Sequence, residues 1–92
     1  MTKYDDFVYS EKVDGHVTKV PGIGDTYGGK LARNGYNNAP KVFGRFLMCD
    51  ENRGDFESFL KRFGGVDAGR GRIAFSGFLE WADRHLGPRN HP

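Results

Sequence analysis

The clearest chemistry in this chain lies in Pro21-Gly22-Ile23-Gly24-Asp25. Two glycines flank one apolar residue between short helix-compatible runs, the pattern by which two helices are joined through a tight hairpin. Glycine takes positive φ at little cost and carries no Cβ, so a bulky anion can approach the N–H groups of Gly22 and Gly24 closely. Ile23, between them, can plug the turn into the core. A helix opening near Asp25 and Thr26, with Tyr27 in its first turn, aims unpaired N–H groups and the positive end of its dipole at the same spot. Lys30, about one turn further, adds a full charge. These features describe a phosphate-binding helix-hairpin-helix over residues 17–34, which grips a duplex backbone without reading bases. A Gly-x-Gly turn also occurs with no ligand, and the flanking charge separates the two readings. From His16 to Phe46 stand Lys19, Lys30, Arg33, Lys41 and Arg45 against Asp25 alone, a basic strip around an anion-shaped turn.

Val66-Asp67-Ala68-Gly69-Arg70-Gly71-Arg72 repeats that chemistry. A helix N-terminus with small Ala68 and Gly69 and with Arg70 and Arg72 forms a second phosphate clamp, the alternative being a flexible basic loop. Lys3 reaches a phosphate if the amino terminus folds beside the hairpin, and is otherwise a disordered terminal lysine. His16, His85 and His91 lack ligand spacing, so packing or solvated histidines are expected and no metal or cofactor is implied. Cys49 is the only cysteine, which excludes an intramolecular disulfide or a thiolate zinc site within one chain and points to a reducing compartment. Helix-hairpin-helix modules also sit inside repair enzymes. Here no Ser/His/Asp or Cys/His constellation stands beside the turn, so the expectation is a protein that is not an enzyme.

The elements that must hold these residues are legible from the pattern. The 92 residues suit one domain, and a net charge of +2 is too small to define a partner by itself. The charge is segregated: Asp50, Glu51, Asp55 and Glu57 oppose Arg53, whereas Lys61, Arg62, Arg70 and Arg72 oppose Asp67. With no long apolar run and no basic-then-apolar leader, a soluble intracellular protein without membrane insertion is expected. Helices are predicted over Tyr4 to Tyr9, barely one turn around Thr18 to Val20, Asp25 to Asn34, Asn38 (as N-cap) to Met48, Asn52 to Phe63, and Asp67 (as N-cap) to about Leu86. The fold class is all-α, a compact bundle of about five or six helices. Residues 1–87 form the single domain and residues 88–92 a flexible tail. Gly28 and Gly29 inside the second hairpin helix each cost about 1 kcal/mol relative to Ala, and a close approach by DNA or another helix accounts for only one. Gly44, mid-helix beside Phe43, Phe46 and Leu47, reads as a subunit contact, the alternative being a crossing within one chain. The last helix carries Ala74, Phe78 and Trp81 on one stripe and Phe75, Leu79, Ala82 and Leu86 on another, more than one small core requires.

Beyond these separate signals, the order of residues resembles a family. Asp6-Phe7-Val8, Pro21-Gly22-Ile23-Gly24 with Gly28, Lys30 and Leu31, Gly35-Tyr36, Ala39, Gly44-Arg45-Phe46-Leu47, Phe56, Leu60 and Phe78-Leu79-Glu80-Trp81 together resemble barrier-to-autointegration factors over nearly the whole chain. The resemblance implies a two-fold homodimer that binds double-stranded DNA without sequence preference and bridges duplexes, gathering chromatin and rebuilding the nuclear envelope. It places the protein in the nucleus, at chromatin and the envelope periphery, and also in the cytoplasm. LEM-domain, lamin-like and histone proteins are the implied partners. The DNA-contact role falls on Lys3, Gly22, Gly24, Thr26, Tyr27, Lys30, Ala68 and Arg72, and the dimer role on Phe43, Gly44, Leu47 and the last helix, with Trp81. The chain departs from the family in places. Gly29 and Gly69 stand where animal members carry lysine, with Lys19 and Arg70 as candidate replacements. Asp55 replaces a leucine in the surface that receives a LEM domain, where a carboxylate is costly, so that partner is disfavoured. The regulatory serine has no counterpart, Thr2 being the nearby hydroxyl. The competing expectation is a divergent member that keeps the protein contacts and has lost DNA binding.

Overall fold

A computed structural model of the chain describes residues 2–89. The element order is α1 (Lys3–Val8), a 3-10 turn (Val17–Lys19), α2 (Asp25–Arg33), α3 (Ala39–Met48), α4 (Arg53–Gly64) and α5 (Ala68–His85). Among the described residues there is no strand, only one isolated bridge between His16 and Asn38. The predicted caps Asn38 and Asp67 are in place, and Asn52 caps α4 in the same way: they accept the N–H of Lys41, Arg70 and Asp55, each three residues on. Gly65, at φ +65, closes α4 in the left-handed conformation.

The core is aromatic. Phe46, Phe56 and Phe78 are fully buried and meet one another at centroid separations of 5.6–5.7 Å, each contributing about 1.5–3 kcal/mol by leaving water. Helix α5 runs through the middle of the molecule, packing on α1, α3 and α4. That position answers the excess of apolar surface read from its sequence. Ala74, Phe75, Phe78, Trp81 and Ala82 are all buried within one chain, which leaves half-buried Leu79 and exposed Leu86 as the remainder. The surplus expected to face a second subunit is thereby narrowed to those two residues of the stripes. Helix α1 docks through the edge of Phe7 on Phe78 at 5.3 Å. Burial and a hydrogen bond with Glu80 push the Tyr4 phenol up to about 12.

The expected tail at 88–92 is described only as far as Arg89. Its guanidinium donates to both carboxylate oxygens of Glu51, at 2.7 and 2.8 Å, and to Asp83, so the chain is tied down at this residue. Residues 90–92, His91 included, lie outside the described residues.

Candidate nucleic-acid interface

The two hairpin glycines have different physical reasons. Gly22 sits at φ +85, and a Cβ there would fall 2.6 Å from the Arg70 carbonyl oxygen. Both the turn and the close pass of α5 require glycine. Gly24 has φ −93, extended backbone open to any residue, so the positive φ expected at both glycines occurs only at Gly22. A Cβ on Gly24 would meet nothing within 4 Å. What singles it out is the helix it opens. Thr2, His16, Asn38, Asn52 and Asp67 each cap a helix or turn with a side chain, whereas α2 has no side-chain cap. The first-turn N–H groups of α2 are thus left to an outside acceptor, at the positive end of the helix dipole.

Ile23 is fully buried, as the plug of the turn, and presents only its backbone. Its carbonyl oxygen accepts from Lys3 Nζ at 2.7 Å, which seats the lysine beside the hairpin. Burial pushes the Lys3 amine below its ordinary value, with Asp25 opposing the shift and Arg70 adding to it. Gly24, Thr26, Tyr27 and Arg70 meet, with Asp25, around a shallow depression of about 310 Å³. Gly28 is explained inside the hairpin, because a Cβ there would lie 2.7 Å from Thr18 Cγ2 in the 3-10 turn. Gly29 has no comparable neighbour; the nearest atom is the Arg33 guanidinium at 3.8 Å, and nothing in the packing explains it.

The α5 clamp differs from its expected form. Asp67 accepts the Arg70 N–H at 2.9 Å and the Tyr27 hydroxyl at 2.8 Å. These bonds hold the Asp67 carboxyl below its usual range and raise the Tyr27 phenol. The Arg70 N–H is therefore taken, a carboxylate occupies the helix end, and Tyr27 acts first as a tie between α2 and α5. What α5 offers the hairpin is the Arg70 side chain. By helical periodicity Ala68 and Arg72 share a different side from Arg70, and Ala68 faces the α4–α5 junction. Gly69 stands beside the Asp67 carboxylate. Lys30 also lies at that junction, its Nζ 3.1 Å from where a Gly65 Cβ would be, rather than over the turn. Apart from Gly69, the residues singled out from sequence thus fall into two groups: Lys3, Gly22, Ile23, Gly24, Thr26, Tyr27 and Arg70 at the hairpin, and Lys30, Ala68 and Arg72 toward α4. The Lys3–Ile23 and Tyr27–Asp67 bonds span 20 and 40 residues, and no local spacing signals them.

In α3, Gly44 meets nothing within 4 Å, so no helix of its own chain crosses it. Leu47 and Met48 are exposed, and Phe43 is half-buried against Phe46, Phe78 and Trp81. Trp81 itself is largely taken by its own chain. Its indole N–H donates to Ser10 O at 2.9 Å and His85 stacks on its ring at 4.5 Å, a packing histidine as expected.

Fold and site together define a small all-α helix-hairpin-helix protein. The family model described as Barrier to autointegration factor matches residues 1–85, and the chain belongs to that family. It is 37% identical over 84 residues to Barrier-to-autointegration factor 1 of Caenorhabditis elegans, covering 91% of this chain and 94% of the relative. Barrier-to-autointegration factor of Homo sapiens is 33% identical over the same shares, and Barrier-to-autointegration factor B of Xenopus laevis is 32% identical, with 91% and 93% covered. The family is one of small helical dimers and non-enzymatic chromatin proteins. No helix among the described residues is long and apolar enough to cross a membrane.

Proposed function

We propose that this protein binds double-stranded DNA without sequence preference and, as a two-fold homodimer, bridges two duplexes. The observation that carries the reading is the uncapped end of α2 at Gly24, open to solvent and flanked by Lys3 and Arg70. A backbone phosphate accepts hydrogen bonds from first-turn amides there, while the two cations neutralise it. The contacts are to the backbone phosphate, so affinity depends on charge and salt rather than on base identity. Gly44, unoccupied by its own chain beside exposed Leu47, supports a subunit contact on α3. A two-fold axis there directs the second DNA site away from the first.

The chromatin role that follows places the protein in the nucleus, at chromatin and the envelope periphery, with a cytoplasmic pool. Lamin-like and histone proteins are candidate partners. A LEM-like partner is disfavoured by exposed Asp55 in the first turn of α4. Neither metal nor cofactor enters this function. The competing reading, a protein-interaction dimer without DNA affinity, is favoured by uncharged Gly29 and Gly69 and by the Asp67 carboxylate at the α5 end. Light scattering coupled to size exclusion, with and without a short arbitrary duplex at low salt, separates the two. A dimer carrying two duplexes that dissociates as salt rises is the expected result. A dimer that ignores the duplex establishes the competing reading, and a monomer removes the subunit contact.

A further inference from the structure

On the α1 side of the hairpin lies a larger cleft of about 610 Å³, lined by Lys3, Lys12 and Lys19, by Asp6, Asp14 and Asp25, and by Gly24 itself. Its cations are not equivalent. Lys3 donates to Ile23 O and lies in the field of Asp25, and Lys12 pairs with Asp14 at 3.7 Å. Lys19 has no carboxylate within 4 Å among the described residues. Its stem is also seated. The side-chain carbons lie 3.2–3.8 Å from where a Gly15 Cβ would be, and Gly15 is held at φ +87 with its carbonyl oxygen bonded to Ala39 N. A lysine laid over a fixed glycine, with its charge unmatched, borders the same cleft as the uncapped amide end.

Resting on the DNA-binding reading above, we infer that Lys19 is a further phosphate contact, which holds a phosphate flanking the one seated at Gly24. Phosphates recur about every 3.4 Å of axis along each strand, so a backbone crossing Gly24 carries its neighbours past this cleft. The contact is specific to this chain's own charge pattern, in which Gly29 and Gly69 carry none.

The test is the salt dependence of duplex affinity for the parent protein and for Lys19→Gln, Lys19→Arg, Arg53→Gln and Gly24→Asp. One phosphate contact adds about 0.9 to the slope of log affinity against log salt, roughly a 3- to 4-fold steeper loss between 50 and 200 mM. Lys19→Gln should lower the slope by that amount and weaken binding at low salt, and Lys19→Arg should restore both. Arg53→Gln, which also removes one positive charge but lies in the Glu57 pair on α4, should leave the slope unchanged. If Lys19→Gln keeps the parent slope while Gly24→Asp loses binding, the Lys19 contact is overturned and the hairpin reading stands. If the parent protein itself shows no duplex affinity, both fall.

Discussion

Replacing Gly24 with Asp should move stability and DNA affinity in opposite directions. Gly24 occupies an N-cap position at φ −93 and ψ −169 with nothing within 4 Å of a Cβ, so an aspartate fits without strain. Its carboxylate would accept a first-turn N–H of α2, as Asp67 does for α5. Asp in place of Gly at a cap is worth a few tenths of a kcal/mol, and charge at the helix dipole adds about 0.3 or more. Asp25 next in the chain sets the gain near the low end, about 0.5 kcal/mol. For a chain this short that is a rise in Tm of roughly 2–4 °C. The same carboxylate fills the anion seat. Losing charge-assisted hydrogen bonds worth about 1.5–3 kcal/mol weakens duplex binding by roughly 10- to 150-fold. Thermal unfolding and duplex titration at low salt on one preparation read both effects. A variant that binds DNA as tightly as the parent, or that melts several degrees lower, would refute the argument that the α2 end is kept uncapped for a ligand.

Other substitutions probe the remaining features. Gly22→Ala, strained at φ +85 and driven against the Arg70 carbonyl, should lose about 2 kcal/mol or more and melt at least 8 °C lower in a thermal scan. Gly29→Ala should instead stabilise α2 by about 1 kcal/mol in the same scan, since no neighbour constrains it. Gly44→Glu should give a folded monomer in light scattering, because no atom of its own chain meets a Cβ there and the proposed subunit contact would have to accommodate the carboxylate. The Asp67 carboxyl, lowered by the Arg70 N–H and the Tyr27 hydroxyl, contributes stability that is complete above the unfolded carboxyl value of about 4. That contribution is lost as pH falls through the depressed folded value. Asp67→Asn, which can still cap, should flatten the acid limb of the stability curve.

The helices were legible because their signals are local. Asn38 and Asp67 announce their caps, and Phe56, Phe59, Leu60 and Phe63 stand on one face at helical spacing. The hairpin turn was legible in part, since Gly22 takes the expected positive φ and Ile23 is buried as its plug, while Gly24 is extended. Contacts between distant segments were not. Gly28 looked costly until Thr18 was seen against it, and the apparent surplus on α5 followed from not knowing that this helix is central. Lys30 illustrates the same limit, because helical spacing gives its height along α2 but not that its ammonium lies at Gly65.

The pass of Gly22 beneath Arg70, together with the Tyr27–Asp67 bond, leaves no hinge between the hairpin and α5. On the DNA-binding reading proposed above, the two halves of the interface are oriented during folding, so a duplex that met one would find the other already in register. No further loop ordering opposes the second contact, and its effective concentration is set by geometry alone. Release then demands that the contacts let go together. On that proposed reading, a subunit built this way would leave DNA slowly when salt is low and quickly when added ions compete at every phosphate at once.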